Sequence, residues 1–312
     1  MAITDYGVKG ILHKALADTP NSDQIANLAR RETSELPAGS QDKLDFLGMV
    51  PALREWIGKR SSSKPIEYNY TATLKKFERA VFLPLDWINN DKTGKVREAA
   101  NGLAKRYMQW PAAQVAALIN AGESVNAFDG QFFFDTDHVW GASGTINNDL
   151  TFNATDHTNP TVFEAARSLV QAINQFSAFK DDQGEPLNEG MTEVTVLCAG
   201  GTNLAAALNL AISQPNVDTG TGVVSNPVKG LPVAIKFVSS TRITLADKFV
   251  VVNSSPDACP FVFLENRNDY GVTGKGAGSD FEHDNDGWEY GVKATGVAAY
   301  GRFTDAVLMT LN

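Results

Sequence analysis

Two hydrophobic periodicities stand out along this chain. Between residues 66 and 74 apolar and polar side chains alternate: Ile66, Tyr68, Tyr70 and Leu74 against Glu67, Asn69, Thr71 and Thr73. A period of two puts alternate side chains on opposite faces, which predicts a strand. A second strand is predicted over 77–85, and the two read as one long β-hairpin. A two-stranded ribbon is marginal alone in water, so one with tyrosines along a face needs another surface to lie on. Over 93–121 the period becomes helical. Val96, Leu103, Tyr107, Trp110, Val115, Leu118 and Ile119 recur among Lys95, Arg97, Glu98, Lys105 and Arg106. Pro111 marks either a kink or the start of a second helix, and Gly122 is a stop.

The first 45 residues read as a polar arm. A short helix is predicted over 23–35, with Ser22 as N-cap and Ile25, Leu28 and Ala29 on one face. The breaker-rich "ELPAGSQDK" follows. Beyond the long helix, 128–135 reads as a short strand. A second helix is predicted over 161–176 from Val162, Ala166, Leu169, Val170 and Ile173. "TEVTVLCAGGTNLAAALNLAIS" reads as strand, tight turn and helix, the helix starting near Thr202. "LPVAIKFVSSTRI", "KFVVVNSS" and "DACPFVFLENR" are further strands, and the chain ends as two strands around "YGRFTD". The stretch between the last two groups, 268–288, reads as a flexible loop. The order predicts an α+β protein in which a middle unit is inserted into a second unit made of the flanks.

Composition narrows the classes. The chain has 312 residues, 43% of them apolar and 20% charged, which is ordinary for a globular protein. A net charge of -9 disfavours a sequence-reading DNA binder and an anionic-lipid binder. Cys198 and Cys259 cannot build a disulfide framework and read as small buried apolar residues of a reducing compartment. The N-terminus lacks the apolar core of a secretory signal, and no run approaches ~18 apolar residues, so a soluble, cytoplasmically made protein is expected.

Candidate chemistry is sparse. "FDGQFFFDTDHVWG", 128–141, carries Asp135, Asp137 and His138, and a second Thr-Asp-His stands at Thr155, Asp156 and His157. Asp137, His138, Asp156 and His157 have the donor chemistry of a two-His, two-carboxylate metal site. Against that, both copies lie beside turn residues, where Thr and Asp bond the local backbone. Lys275 is followed by Gly276, not the Ser or Thr of a phosphate loop, and Gly274, Gly276 and Gly278 miss the dinucleotide spacing. Glu282, Asp284, Asp286 and Gly287 imitate the start of a calcium loop, but its bidentate Glu would fall at Lys293. Ser143 lacks the G-x-S-x-G spacing. No catalytic, cofactor or metal residues are assigned, and the protein does not read as an enzyme.

Taken together, several stretches resemble the major head subunit of Mu-like phages and prophages, of gpT type. They are "LGMVPALREWIGKR", "IEYNYTATLKKFERAV", "NNDKTGKVREAANGLAKRYMQWPAAQVAALINAG", "FDGQFFFDTDH" and "DGWEYGVKATGVAAYGRFTDAVLMT". The resemblance runs from about residue 46 to the end, and "LREWIGKR" and "FDGQFFFDTDH" are its most specific parts. Val139 stands where it leads one to expect proline. The resemblance implies the tailed-phage capsid fold named after phage Hong Kong 97. It maps an N-terminal arm to 1–45 and a peripheral domain to 46–58, 86–155 and 256–312, with a spine helix at about 93–121. An extended hairpin loop falls on 59–85 and an axial domain on 156–255.

The same resemblance implies a major capsid protein that self-assembles into hexamers and pentamers of an icosahedral head, a virion component assembled in the bacterial cytoplasm. Implied partners are a scaffold protein, a portal protein and double-stranded DNA packaged without sequence specificity; a decoration protein stays open. Candidate contacts between subunits are Arg54, Trp56, Tyr68, Tyr70, Lys75 and Phe77. One chain that closes a shell needs complementary patches on different sides. A neutral or mildly acidic inner face is expected, since a basic lining would hold DNA through many phosphate contacts. The alternatives are an encapsulin-like nanocompartment shell and a metal-dependent hydrolase using Asp137, His138, Asp156 and His157.

Overall fold

The computed structural model describes residues 4–20, 23–49, 67–90 and 94–312. Its first half holds α1 (Asp5–Asp18), β1 (Ala29–Thr33), β2 (Gln41–Leu47), β3 (Glu67–Thr73), β4 (Lys75–Pro84), α2 (Leu85–Asn89) and α3 (Lys95–Asn120). There follow β5 (His138–Val139), β6 (Thr145–Ile146), β7 (Asp149–Phe152), α4 (Val162–Gln175), β8 (Glu193–Ala199) and α5 (Asn203–Ser213). Next come β9 (Asn216–Asp218), β10 (Val223–Ser225), β11 (Ala234–Ser240) and β12 (Lys248–Asn253). The chain closes with β13 (Phe261–Lys275), α6 (Asp280–Asn285), β14 (Gly287–Tyr300) and β15 (Ala306–Leu311). It divides into two compact units: Met1–Asp42, Thr71–Gln114 and Phe263–Ala299 form the first, and Lys43–Tyr70, Val115–Val262 and Tyr300–Asn312 the second.

In the first unit, β1, β13, β14 and β4 form a sheet in that order. β4 runs antiparallel to β14 from the pair Pro84 and Gly287 to the pair Lys75 and Gly296. Its core joins Val8, Leu12, Ala15 and Leu16 of α1 to Leu83, Val96, Ala100, Leu103, Trp288, Tyr290 and Val292. The α1 positions are spaced by three or four, so one helical face carries them all. Thr4 caps the helix, its hydroxyl accepting the Gly7 N–H at 3.1 Å. Trp110 packs against Phe77 and Phe263 at 5.1 and 5.0 Å. Tyr107 donates to Glu265 at 3.0 Å, and burial with that carboxylate pushes its phenol up.

Several expectations change here. The polar arm contains α1, which is core, and the helix expected over 23–35 is a single 3-10 turn, Ala26–Leu28, followed by β1. Three apolar residues are too few to hold a free helix, whereas β13 offers a strand edge. Ser22 lies outside the described residues. The 268–288 stretch is not a loop: β13 runs to Lys275, α6 follows, and β14 starts at Gly287. The predicted hairpin does not pair as expected. β3 pairs with β2, and β4 with β14. The connection from β2 to β3, including Arg54, Trp56 and most of the expected loop tip, lies outside the described residues.

The second unit is built on a five-stranded sheet in the order β11, β8, β12, β15, β7. β11 is parallel to β8 and β7 to β15, while β12 is antiparallel to both its neighbours. β8, β12 and β15 are buried along nearly their whole length, as the apolar runs "VTVLCA", "FVVV" and "AVLM" require of strands covered on both faces. α4 and α5 pack on one another. The expected insertion at 156–255 is thus part of a larger unit that also takes in 115–155 and the C-terminal strand. α3 is one continuous 26-residue helix with Pro111 inside it. Lys95–Gln114 belongs to the first unit and the remainder to the second. No helix among the described residues is long and apolar enough to cross a membrane.

Candidate functional site

The segment 122–148 in the second unit is a compact loop rather than the predicted strand. Phe132 is 44% exposed, whereas Phe133 and Phe134 are both buried, which no alternating strand allows. The backbone folds back on the turn after α3. Phe133 N–H donates to the Val125 carbonyl at 3.1 Å and Phe134 N–H to the Gly122 carbonyl at 2.9 Å. Asn148 holds this fold from beneath. Its amide donates to the carbonyls of Phe133 and Phe303 at 2.9 and 3.0 Å and its oxygen accepts the Asp135 N–H at 2.9 Å.

His138 is fully buried. Its ring stacks on Phe303 with centroids 3.9 Å apart and planes within 5°. Nδ1 lies 2.7 Å from Oδ2 of Asp129, and Nε2 has no hydrogen-bond partner. A carboxylate only accepts, so the pair sets Nδ1 as the donor. Asp137, by contrast, is exposed and accepts from the Gln131 amide at 3.0 Å. Asp135 bonds the Thr136 N–H at 2.7 Å. Gly141 has φ of +57°, and a Cβ there would lie 2.6 Å from the Asp182 carbonyl oxygen, so the turn after His138 admits only glycine.

The second Thr-Asp-His copy is the entry to α4. Thr155 N–H donates to Glu164 at 2.7 Å, and Thr161 and Glu164 form a reciprocal capping box. Asp156 accepts both the hydroxyl and the N–H of Thr158, which lowers its carboxyl. His157 and Asp247 face each other at 3.9 Å, both exposed. Asp137, His138, Asp156 and His157 are therefore each engaged with a different neighbour. Among the described residues no three His, Cys, Asp or Glu side chains form a metal-holding group. The structure does not bring the four residues together: turn-forming residue types are used twice for local bonding. Both cysteines are buried, and burial pushes the Cys198 thiol up to about 12.

Of the surface candidates, Tyr68 packs on Phe128 and Trp140 at 5.6 and 5.8 Å, and Tyr70 on Tyr300 at 6.5 Å. Burial raises both phenols, Tyr68 with a further contribution from Asp182. Both rings are half-buried against their own chain. Phe77 is half-buried on Trp110, and Lys75 is exposed on β4. Two features went unread in the sequence. Met49 N–H donates to Asp182 at 2.8 Å, anchoring the end of β2. Val125, Phe132 and Val139 are exposed apolar residues carried by the 122–146 loop.

Residues 11–164 match the family model described as Mu-like prophage major head subunit gpT. The chain is 30% identical over 138 residues to the Mu-like prophage FluMu major head subunit of Haemophilus influenzae, covering 42% of this chain and 45% of that one. It is 25% identical over 146 residues to the major capsid protein of Escherichia phage Mu, covering 44% and 46%. The matches thus span less than half the length of these relatives. Among solved structures, the procapsid of bacteriophage JBD30 matches with a TM-score of 0.52 and 20% identity over 97% of this chain and 72% of that one. The capsid of a native GTA particle gives 0.56 and 11%, covering 93% and 91%. The holo-SrpI encapsulin complex of Synechococcus elongatus gives 0.52 and 12%, covering 94% and 87%.

Two measurements separate a structural loop from a reactive one. His138→Ala removes a stacked ring and strands the Asp129 carboxylate, so it costs about 2–5 kcal/mol in chemical denaturation. Asp137→Ala changes stability by less than about 0.5 kcal/mol. Equal effects would contradict the assignment. The second concerns acid. Partial burial alone would raise Glu164, but hydrogen bonds from Thr155 and Thr161 outweigh it and hold the carboxyl at about 2, against an ordinary 4.5. A depressed carboxyl stabilises the fold above its unfolded value and loses that contribution as pH falls through the folded one. Wild type therefore loses stability between pH 4.5 and about 2 more steeply than Glu164→Gln. Parallel curves would refute the capping box as an acid-sensitive element.

Over residues 11–164 the chain matches the Mu-like prophage major head subunit gpT family, and it carries the Hong Kong 97-type fold of tailed-phage capsid proteins.

Proposed function

We propose that this chain is a major capsid protein whose copies assemble into the icosahedral head of a Mu-like phage or prophage. The observation that carries the reading is the gpT match over 11–164 together with a capsid fold likeness that covers 97% of the chain. The fold alone does not choose between a phage head and an encapsulin-like shell, because an encapsulin is equally similar in structure. The family match and the two named relatives favour the head. In this reading the first unit is the peripheral domain, the second contains the axial domain, and α3 is the spine helix. Scaffold and portal proteins and packaged DNA are the proposed partners. No reaction is proposed: Asp129 and His138, which have the look of a catalytic pair, hold the 122–148 loop.

The corrected strand pairing moves the proposed extended loop. Its two arms are β2 and β3, joined by residues 50–66, and Met49, Tyr68 and Tyr70 fasten its base to the second unit. Arg54 and Trp56 stay candidates for reaching a neighbouring copy, and Lys75 and Phe77 fall outside the arms. Replacing 50–66 by a short Gly/Ser turn keeps both strands and is expected to leave a folded, soluble subunit that forms no closed shells by sedimentation and electron microscopy. Closed shells of normal size from that variant would sink the loop assignment.

A further inference from the structure

α4 presents Arg167, Gln171 and Asn174 along one exposed stripe, as spacings of four and three residues require. Together with Phe152 of β7, Gln175 and Pro227 they line an open cleft of about 440 Å³ in the second unit. That volume suits a few residues of an extended peptide rather than a flat protein face.

The chemistry of the cleft is specific. The Arg167 guanidinium carbon lies 5.8 Å from the ring centroids of both Phe152 and Phe163. Two aromatic faces at that distance attract the cation and restrict it. None of the described carboxylates pairs with it. A guanidinium offers five donors in a planar fork that matches a carboxylate. The side-chain amides of Gln171 and Asn174 make no hydrogen bond within the described residues, while the Gln175 amide donates to the Asn147 carbonyl at 2.8 Å. Free amides of this kind pair readily with peptide backbone. β7 is the outer strand of its sheet, so one of its backbone edges has no strand partner among the described residues.

We propose that this cleft receives an extended, carboxylate-bearing segment of a second copy of the chain, with Arg167 binding the carboxylate. The occupant follows from charge. The chain carries 36 acidic and 27 basic side chains, so carboxylate is the counter-charge that another copy most offers. The proposal rests on the shell reading, in which one chain supplies both halves of each contact.

The test uses full-length wild type, Arg167→Gln, Arg167→Glu and Arg167→Lys, with thermal unfolding as the check on folding. The expected result is wild-type unfolding for all three. The concentration needed for assembly, read by sedimentation, should rise about tenfold for Arg167→Gln, more for Arg167→Glu, and least for Arg167→Lys. Treating assembled Arg167→Lys protein with a carbodiimide should give an amide cross-link from position 167 to an Asp or Glu of another copy, read by mass spectrometry of mixed isotope-labelled subunits. Should a charge variant fail to fold, this cross-link decides alone. Normal assembly of Arg167→Glu, or particles without an intermolecular link at 167, would overturn the cleft and leave the shell reading standing. A link only to a different protein would overturn it equally. Wild type that never associates would overturn both.

Discussion

Asn148 is the constraint on which the second unit turns. Its side chain is completely buried, so every polar atom must find a partner inside the protein or carry a desolvation cost of a few kcal/mol, about 1–3. It does so by holding Phe133, Asp135 and Phe303 at once, and its own carbonyl accepts the Leu308 N–H at 2.8 Å. One residue thereby fixes the 122–148 loop, the entry to β7 and the 3-10 turn Phe303–Asp305. The last strand, β15, can then slot between β12 and β7. The sheet is complete only when residues near the C-terminus return to it, which makes its contacts strongly non-local.

The same logic explains why "FDGQFFFDTDHVWG" looks like chemistry. A loop that carries exposed Phe132 and Val139 above a rigid base needs polar groups to satisfy the buried turns beneath. His138 Nδ1 and Asp129 Oδ2 pair with one another, and Phe303 covers the ring. Asp135 and Asp137 bond a backbone N–H and a neighbouring amide. Histidine and aspartate are chosen here for bonding geometry and burial, and their nearness to each other follows from that. In the capsid reading, such a base would keep the subunit's surfaces in the same shape at every copy.

Legibility followed the strength of the local pattern. α3, α4 and α5 showed in the sequence because they are long and periodic, and Thr161 and Thr202 marked the starts of α4 and α5. β8, β12 and β15 showed as apolar runs. α1 was hidden by Gly7, Gly10 and a charged outer face, although Val8, Leu12, Ala15 and Leu16 repeat at helical spacing. Adjacency in sequence favours a β3–β4 hairpin, whereas the fold pairs β3 with β2 and β4 with β14. The 268–288 stretch was misread because its glycines outweighed Tyr270 and Val272. Asp129 was missed as the partner of His138 because nine intervening residues fold into a loop without period. Arg167 sat on a predicted helix, but its two rings come from α4 and β7 together, and no single-helix pattern reveals that.

The capsid reading joins a family match over the first half of the chain to a fold likeness over nearly all of it. Its most direct test is cryo-electron microscopy of the full-length chain expressed together with the genes that neighbour it. The account predicts closed shells with icosahedral symmetry, built from hexamers and pentamers of this chain, with the β2–β3 ribbon of each copy lying on another. Monodisperse monomers or small open oligomers under those conditions would contradict it.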